Sequence, residues 1–235
     1  IMVSYLSIKE AMEKGSGKVA VRGWVHRERG SNKLKFVVLR DSSEIIQCVF
    51  QKEDFGSRWQ EIDRLQVEAS LHVVGEIKKD ERAPTGYEIQ VNEFEIIGIS
   101  ENYPITKDQS TEFLADNRHL WLRSRKMTSI LKIRSTIFAA IHEYFHSHGF
   151  YEYHSPIFQA VQCEGGAELF SVDYFGQKDV FLGQTWQLYA EPAIFALEKI
   201  YTISPSFRAE KSKTSRHLTE YWHAEMEVAW AEFKD

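Results

Sequence analysis

The sequence predicts an α+β, multidomain chain in which a small N-terminal β-barrel precedes a mixed α+β domain. Three observations carry this expectation. Five short segments of strand character, separated by turn residues, fill the N-terminal part. Isoleucines at helical spacing begin only at Ile130. Two strand-like stretches toward Asp235 then gather arginine, aromatic and carboxylate side chains on one face.

The barrel elements come first. Residues 19–26, 34–40, 45–50, 70–77 and 87–97 read as strands, and five such segments in about 80 residues suit a barrel of the OB-fold type. Between the third and fourth, Phe55, Trp59, Ile62 and Leu65 recur at helical spacing, which predicts one helix plugging the barrel. Residues 78–86 hold Pro84 and Gly86 and read as a hairpin loop. This gives a first domain over 1–98. Residues 99–112, with Pro104 and a polar run, read as a linker, and 113–235 as the second domain. There Ile130, Ile133, Ile137, Ile141 and Tyr144 predict a helix that Gly149 ends, and residues 150–156 predict a strand.

At 235 residues and 43% hydrophobic, the chain can bury a core in each domain. It has no run of about 18 apolar residues, and its first ten residues lack a secretory pattern, so the expectation is a cytoplasmic protein with no membrane partner. Cys48 and Cys163 are too few for a disulfide framework or a thiolate zinc site. A net charge of −5 argues against a uniformly basic nucleic-acid binder but leaves local cationic clusters open.

Those clusters sit in the C-terminal hairpin. Tyr201, Ile203, Pro205, Phe207 and Ala209 share one face of the first strand; Thr202, Ser204, Ser206, Arg208 and Glu210 share the other. In the second strand Trp222, Ala224, Met226, Val228 and Trp230 oppose Tyr221, His223, Glu225 and Glu227. A half-buried hairpin gives the same alternation. The polar face, however, carries an arginine, a ring and carboxylates, and the connecting loop, with Lys211, Lys213, Arg216 and His217, is long and cationic. Arg208 near the Tyr221 ring suits a planar base attached to phosphates.

Phe207-Arg208-Ala209-Glu210 followed by Arg216-His217-Leu218-Thr219-Glu220-Tyr221 resembles motif 2 of the class II aminoacyl-tRNA synthetases, in the form of their aspartate and asparagine subgroup. The helix ending at Gly149 and the strand reaching Pro156 resemble motif 1, the family's dimer interface. Glu164-Gly165-Gly166-Ala167-Glu168-Leu169-Phe170 resembles the subgroup's mobile loop, and Gln187-Leu188-Tyr189-Ala190-Glu191 its amino-acid-binding segment. Gly23-Trp24-Val25, Leu39-Arg40-Asp41 and Ile46-Gln47 fit its anticodon barrel. No Gly-rich motif 3 precedes Asp235. The resemblance thus implies an OB-fold barrel followed by an incomplete class II antiparallel-sheet catalytic domain, inactive alone.

The resemblance also implies roles. The activity is activation of asparagine by ATP to asparaginyl-adenylate and transfer to tRNA(Asn), in a homodimer formed through motif 1. Arg208 contacts the α-phosphate, Tyr221 stacks on adenine, Arg216 and His217 reach the outer phosphates, and Glu210 sits near the adenine or the terminal adenosine of tRNA. Glu164 and Gln187 accept from the substrate ammonium, and Glu225 faces the same pocket. Aspartate enzymes place a lysine where Ala190 stands; Ala190 followed by Glu191, which accepts from an amide but repels a carboxylate, favours asparagine. Glu191 before Pro192 also reads as a first-turn helix carboxylate. Phe36 and Gln47 match positions that stack on and hydrogen-bond an anticodon base, with Arg29 nearby, although an aromatic in a barrel strand is also a natural core residue. Val49 stands where relatives carry a second aromatic. Mg2+ is expected with ATP, its protein ligands lying beyond Asp235. His142 and His146, four apart on the motif 1 helix, lack an identified third ligand and read as surface or interface histidines. An aspartyl enzyme, one charging both tRNAs, or a non-catalytic tRNA-binding relative are the alternatives.

Overall fold

The computed structural model describes residues 4–161, 168–212, 214 and 216–234. Contacts group into two compact units, Ile1–Thr128 and Ser129–Asp235.

The first unit opens with a helix that the strand-and-turn reading missed, α1 (Ile8–Lys14). Its start is written in the sequence: Ser7 accepts from the Glu10 amide and Glu10 reaches back to Ser7, a capping box, and Gly15 ends the helix at φ 72°. Ile8 and Ala11 are fully buried. β1 (Gly17–Gly30), β2 (Leu34–Arg40), β3 (Ile45–Gln51), β4 (Ser70–Lys79) and β5 (Tyr87–Gly98) close into a barrel in the order β1-β2-β3-β5-β4. Four pairings are antiparallel; β3 and β5 close the ring in parallel over Gln47↔Glu88, Cys48↔Ile89 and Val49↔Gln90. Alternate residues such as Val37, Leu39, Ile46, Cys48, Val73 and Ile89 fill the interior. Gly75 sits at a register shift in β4, where a Cβ would run into the Gln90 carbonyl, so only glycine lets the two strands approach.

The plug helix is broken. α2 (Lys52–Phe55) gives way to a 3-10 turn (Gly56–Arg58) and then α3 (Trp59–Asp63), because Gly56 takes φ 51°, outside the helical region. Trp59, Ile62 and Leu65 still turn inward. The barrel also buries a lysine: Lys35 Nζ donates to the Asp63 carbonyl at 2.7 Å, capping α3, and lies 3.2 Å from Glu28. Beyond the barrel, α4 (Thr111–Asp116), capped by Ser110, and α5 (Arg118–Trp121) lead to Arg123, which pairs with Glu68 at 2.9 Å.

α6 (Arg125–Ser147) runs into the second unit and ends at Gly149, φ 78°. The strand expected over 150–156 shrinks to β6 (Tyr151–Glu152). Its ladder stops because the Tyr153 carbonyl is taken by the Trp186 indole at 2.8 Å and Pro156 has no N–H to offer. β7 (Phe158–Gln159) and β8 (Phe181–Leu182) form a small ribbon. α7 (Gln187–Leu197) precedes β9 (Lys199–Phe207) and β10 (Glu220–Val228), which pair antiparallel in a sheet of order β10-β9-β6. α6 covers one face, with Phe145 stacked on Tyr201 at 4.5 Å and Phe138 against Trp222. α7 covers the other, where Trp186, Ala190 and Ile200 make a buried cluster.

Candidate functional site

The register of β9 and β10 sets Tyr221 opposite Ser206, His223 opposite Ser204 and Glu225 opposite Thr202. The two polar rows expected from alternation therefore lie side by side on one face of the sheet. At its open end the Arg208 amide donates to the Thr219 carbonyl at 2.9 Å, holding the two ends of the connecting loop together. The Arg208 guanidinium lies 5.7 Å from the centre of the Tyr221 ring. An open cleft of about 810 Å³ is lined there by Arg208, Glu210, Arg216, His217, Tyr221 and Phe170. The structure thus brings all five expected nucleotide residues to one cavity. Lys213 of the loop lies outside the described residues, as do Glu164 and Cys163 of the expected mobile loop.

Toward the other end of this face stands α7. Gln187 Nε2 donates to Glu191 Oε1 at 3.1 Å, an i,i+4 pair that leaves the Gln187 amide oxygen able to accept. Glu191 is in the second turn of α7 rather than the first, because the helix already starts at Gln187 and carries Pro192 inside it. Ala190 is fully buried against Trp186 and Ile200. Glu225 pairs with His223. Burial, then the charges of Glu191 and Glu225, push Glu227 above the usual carboxylate range. The sequence reading placed Glu227 on the polar face without a role; three carboxylates converging from two elements become visible only with the fold.

The barrel carries a second cleft, of about 380 Å³. Arg29 and Phe36 are register partners on β1 and β2, with the guanidinium 5.0 Å from the ring centre. Phe36 is partly exposed and lines this cleft with Arg29, Gln47 and Val49, so it is not a core residue. Gln47 is 4% exposed, and its Nε2 donates to Glu88 Oε2 at 2.9 Å, leaving the amide oxygen as its acceptor. Glu88 itself is buried, receives Gln90 Nε2 at 2.8 Å and pairs with Lys78 at 3.3 Å. Sequence reasoning passed over Glu88. The signal was a carboxylate at the start of a barrel strand that a network of donors, not solvent, must satisfy.

Residues 19–97 match the OB-fold nucleic acid binding domain, and residues 110–235 match the tRNA synthetases class II (D, K and N). An asparagine–tRNA ligase of Thermoplasma acidophilum is 51% identical over 228 residues, covering 96% of this chain and 53% of the relative. One from Thermococcus gammatolerans is 47% identical, covering 97% of this chain and 52% of its own length. The asparaginyl-tRNA synthetase of Pyrococcus horikoshii, solved with asparaginyl-adenylate, superposes with a TM-score of 0.90 at 40% identity, over 98% of this chain and 54% of that one. The chain spans about half the length of the curated relatives it matches. With more than half its residues inside the catalytic-domain match and both motif strands in place, this chain belongs to the class II tRNA synthetases of the D, K and N group.

Proposed function

We propose that this chain supplies the anticodon-reading barrel and the adenylate-forming face of an asparagine–tRNA ligase that acts in the cytoplasm. The observation that carries the reading is the shared polar face of β9 and β10, with the Arg208–Tyr221 cleft at one end and the Gln187–Glu191–Glu225–Glu227 group at the other. The family identity and the adenylate held by the Pyrococcus horikoshii relative support it.

In the first step the α-carboxylate of asparagine attacks the α-phosphorus of ATP and pyrophosphate leaves. Positioning and charge stabilisation are the protein's tasks. On this reading Arg208 holds the α-phosphate, Tyr221 stacks on adenine, Arg216 and His217 meet the outer phosphates, and Glu210 contacts adenine or the terminal adenosine of tRNA. In the second step a ribose hydroxyl of that adenosine attacks the adenylate carbonyl and AMP leaves. Mg2+ would arrive on the nucleotide phosphates. Among the described residues lining this cleft Glu210 is the one carboxylate, so a magnesium ion there would be held mainly by the nucleotide's phosphates and its own waters.

Substrate choice rests on charge. The α7 end of the face has a buried alanine where a cation would be needed, and two carboxylates, Glu191 and Glu225, close enough to raise Glu227. A substrate ammonium is welcome there, with Gln187 and Glu225 as acceptors. A second substrate carboxylate is not, whereas the asparagine amide can donate to Glu191. Amino-acid-dependent pyrophosphate exchange in the full-length protein should show asparagine activated in preference to aspartate. Equal efficiency for the two would replace the reading with a non-discriminating or aspartyl enzyme, and no exchange with either, tRNA binding being retained, with a non-catalytic relative.

A further inference from the structure

We propose that His142, His146 and Glu152 form a binding site for a divalent transition metal of the zinc class, which clasps α6 to β6. The sequence offers two of the ligands. His142 and His146, four apart, project from one side of α6. The fold supplies the third, since β6 runs beside β9 and brings Glu152 up to the helix. One ligand atom from each of the three lies within 4.8 Å of the other two, and His142 Nδ1 is 3.7 Å from Glu152 Oε2. Zinc takes imidazole nitrogen and carboxylate oxygen at about 2.0–2.2 Å, which sets ligand atoms of a tetrahedral site about 3.3–3.5 Å apart. The His142–Glu152 separation is near that value, and His146 and Glu152 are exposed side chains that close the remainder by rotation.

One neighbour holds a ligand from behind, as partners around metal sites do: His154 Nε2 lies 2.9 Å from Glu152 Oε1, the oxygen other than the one nearest His142. The buried Tyr201 hydroxyl, 2.7 Å from His142 Nδ1, holds the nitrogen that the metal takes and gives up that contact on binding. The ligand set selects the ion. Two imidazoles and one carboxylate suit zinc, cobalt or nickel, whereas magnesium demands oxygen ligands and retains its waters. Tyr201 faces α6 while its neighbour Thr202 belongs to the polar face. The site therefore lies across the sheet from the nucleotide cleft, and its role is structural: it ties the helix to an edge strand that pairs for only two residues. It does not depend on which amino acid the protein activates.

The test uses full-length protein stripped of metal by chelation and titrated with Co2+, whose tetrahedral complexes absorb in the visible. We expect one Co2+ per chain with tetrahedral bands, displacement by Zn2+, and no displacement by excess Mg2+. His146→Gln and Glu152→Gln remove exposed side chains, so both should fold as the parent does, with unchanged far-ultraviolet circular dichroism. Each should lower Zn2+ affinity by more than about tenfold. If one variant fails to fold, the other decides. Absence of saturable one-to-one binding, or variants that bind zinc as tightly as the parent, would overturn the proposal and leave adventitious histidine binding.

Discussion

Phe36 shows how one residue's position separates two readings. A ring in a barrel strand is usually core, yet here Val37 and Leu39 take the interior and Phe36 stays at the cleft beside Arg29. Phe36→Ala should therefore leave the barrel's melting temperature almost unchanged and weaken tRNA binding by roughly 1–3 kcal/mol. Binding measured against cognate and anticodon-altered tRNA checks this, and equal affinity for both would end the anticodon reading. Glu227 gives a prediction of the opposite kind. Burial and two carboxylate neighbours raise its folded pKa. A carboxyl raised on folding contributes stability that is fully present below its unfolded value of about 4.3 and is lost as pH rises through the folded value. Glu227→Gln removes that penalty, so it should be more stable than the parent at neutral pH, with the gain vanishing below about pH 4. Urea titrations at several pH values test the sign; a neutral-pH loss would refute it. Cys48 completes the scale: burial pushes its thiol up and leaves it inert in the barrel core.

At the scale of elements, the strands were legible because their period is two and their ends are marked by turn residues: residues 34–40 coincide with β2, and the other barrel strands differ by a few end positions. What the residues did not reveal follows tertiary demands. Gly56 splits the plug helix, and the Trp186 indole ends β6, a contact between positions far apart in sequence. α1 was overlooked although Ser7 and Glu10 announce it, because seven residues carry too few apolar positions to display a helical period. The residues proposed to meet the nucleotide could be picked out as a set through motif order, whereas Glu88 and Glu227 needed the register. α1 itself rests on Asp41, whose carboxylate accepts from the amides of Ile8, Ser43 and Glu44 and from the Ser43 hydroxyl. Burial works against its charge, but these bonds outweigh it and hold the pKa below normal. Asp41→Asn should destabilise the barrel by about 1–2 kcal/mol at neutral pH, as lost helix caps do. The parent's advantage is present above pH about 4 and fades as acid protonates Asp41. Thermal melts across this range supply the check, and a pH-independent difference would count against the carboxylate's charge.

On the scale of the whole molecule, the proposed homodimer would use α6. Ile130, Ile133, Ile137 and Tyr144 are 44–60% exposed, an apolar stripe that a second copy would bury. Sedimentation of the full-length protein should give a dimer at micromolar concentration, and a strict monomer would remove motif 1 as an interface. No helix among the described residues is long and apolar enough to cross a membrane. The ring of the barrel, finally, is not equally strong all the way round. Its parallel seam between β3 and β5 joins only three residue pairs, of a ladder type slightly weaker per residue than the antiparallel kind. Local opening starts where few hydrogen bonds must break at once, so hydrogen exchange should find this seam the first part of the barrel to open. Gln47, Val49, Glu88 and Gln90, which line the proposed anticodon cleft, are four of the six residues that make the seam. An RNA loop bound there would act as a clasp on this short joint, and by linkage a more tightly closed barrel would hold that loop longer.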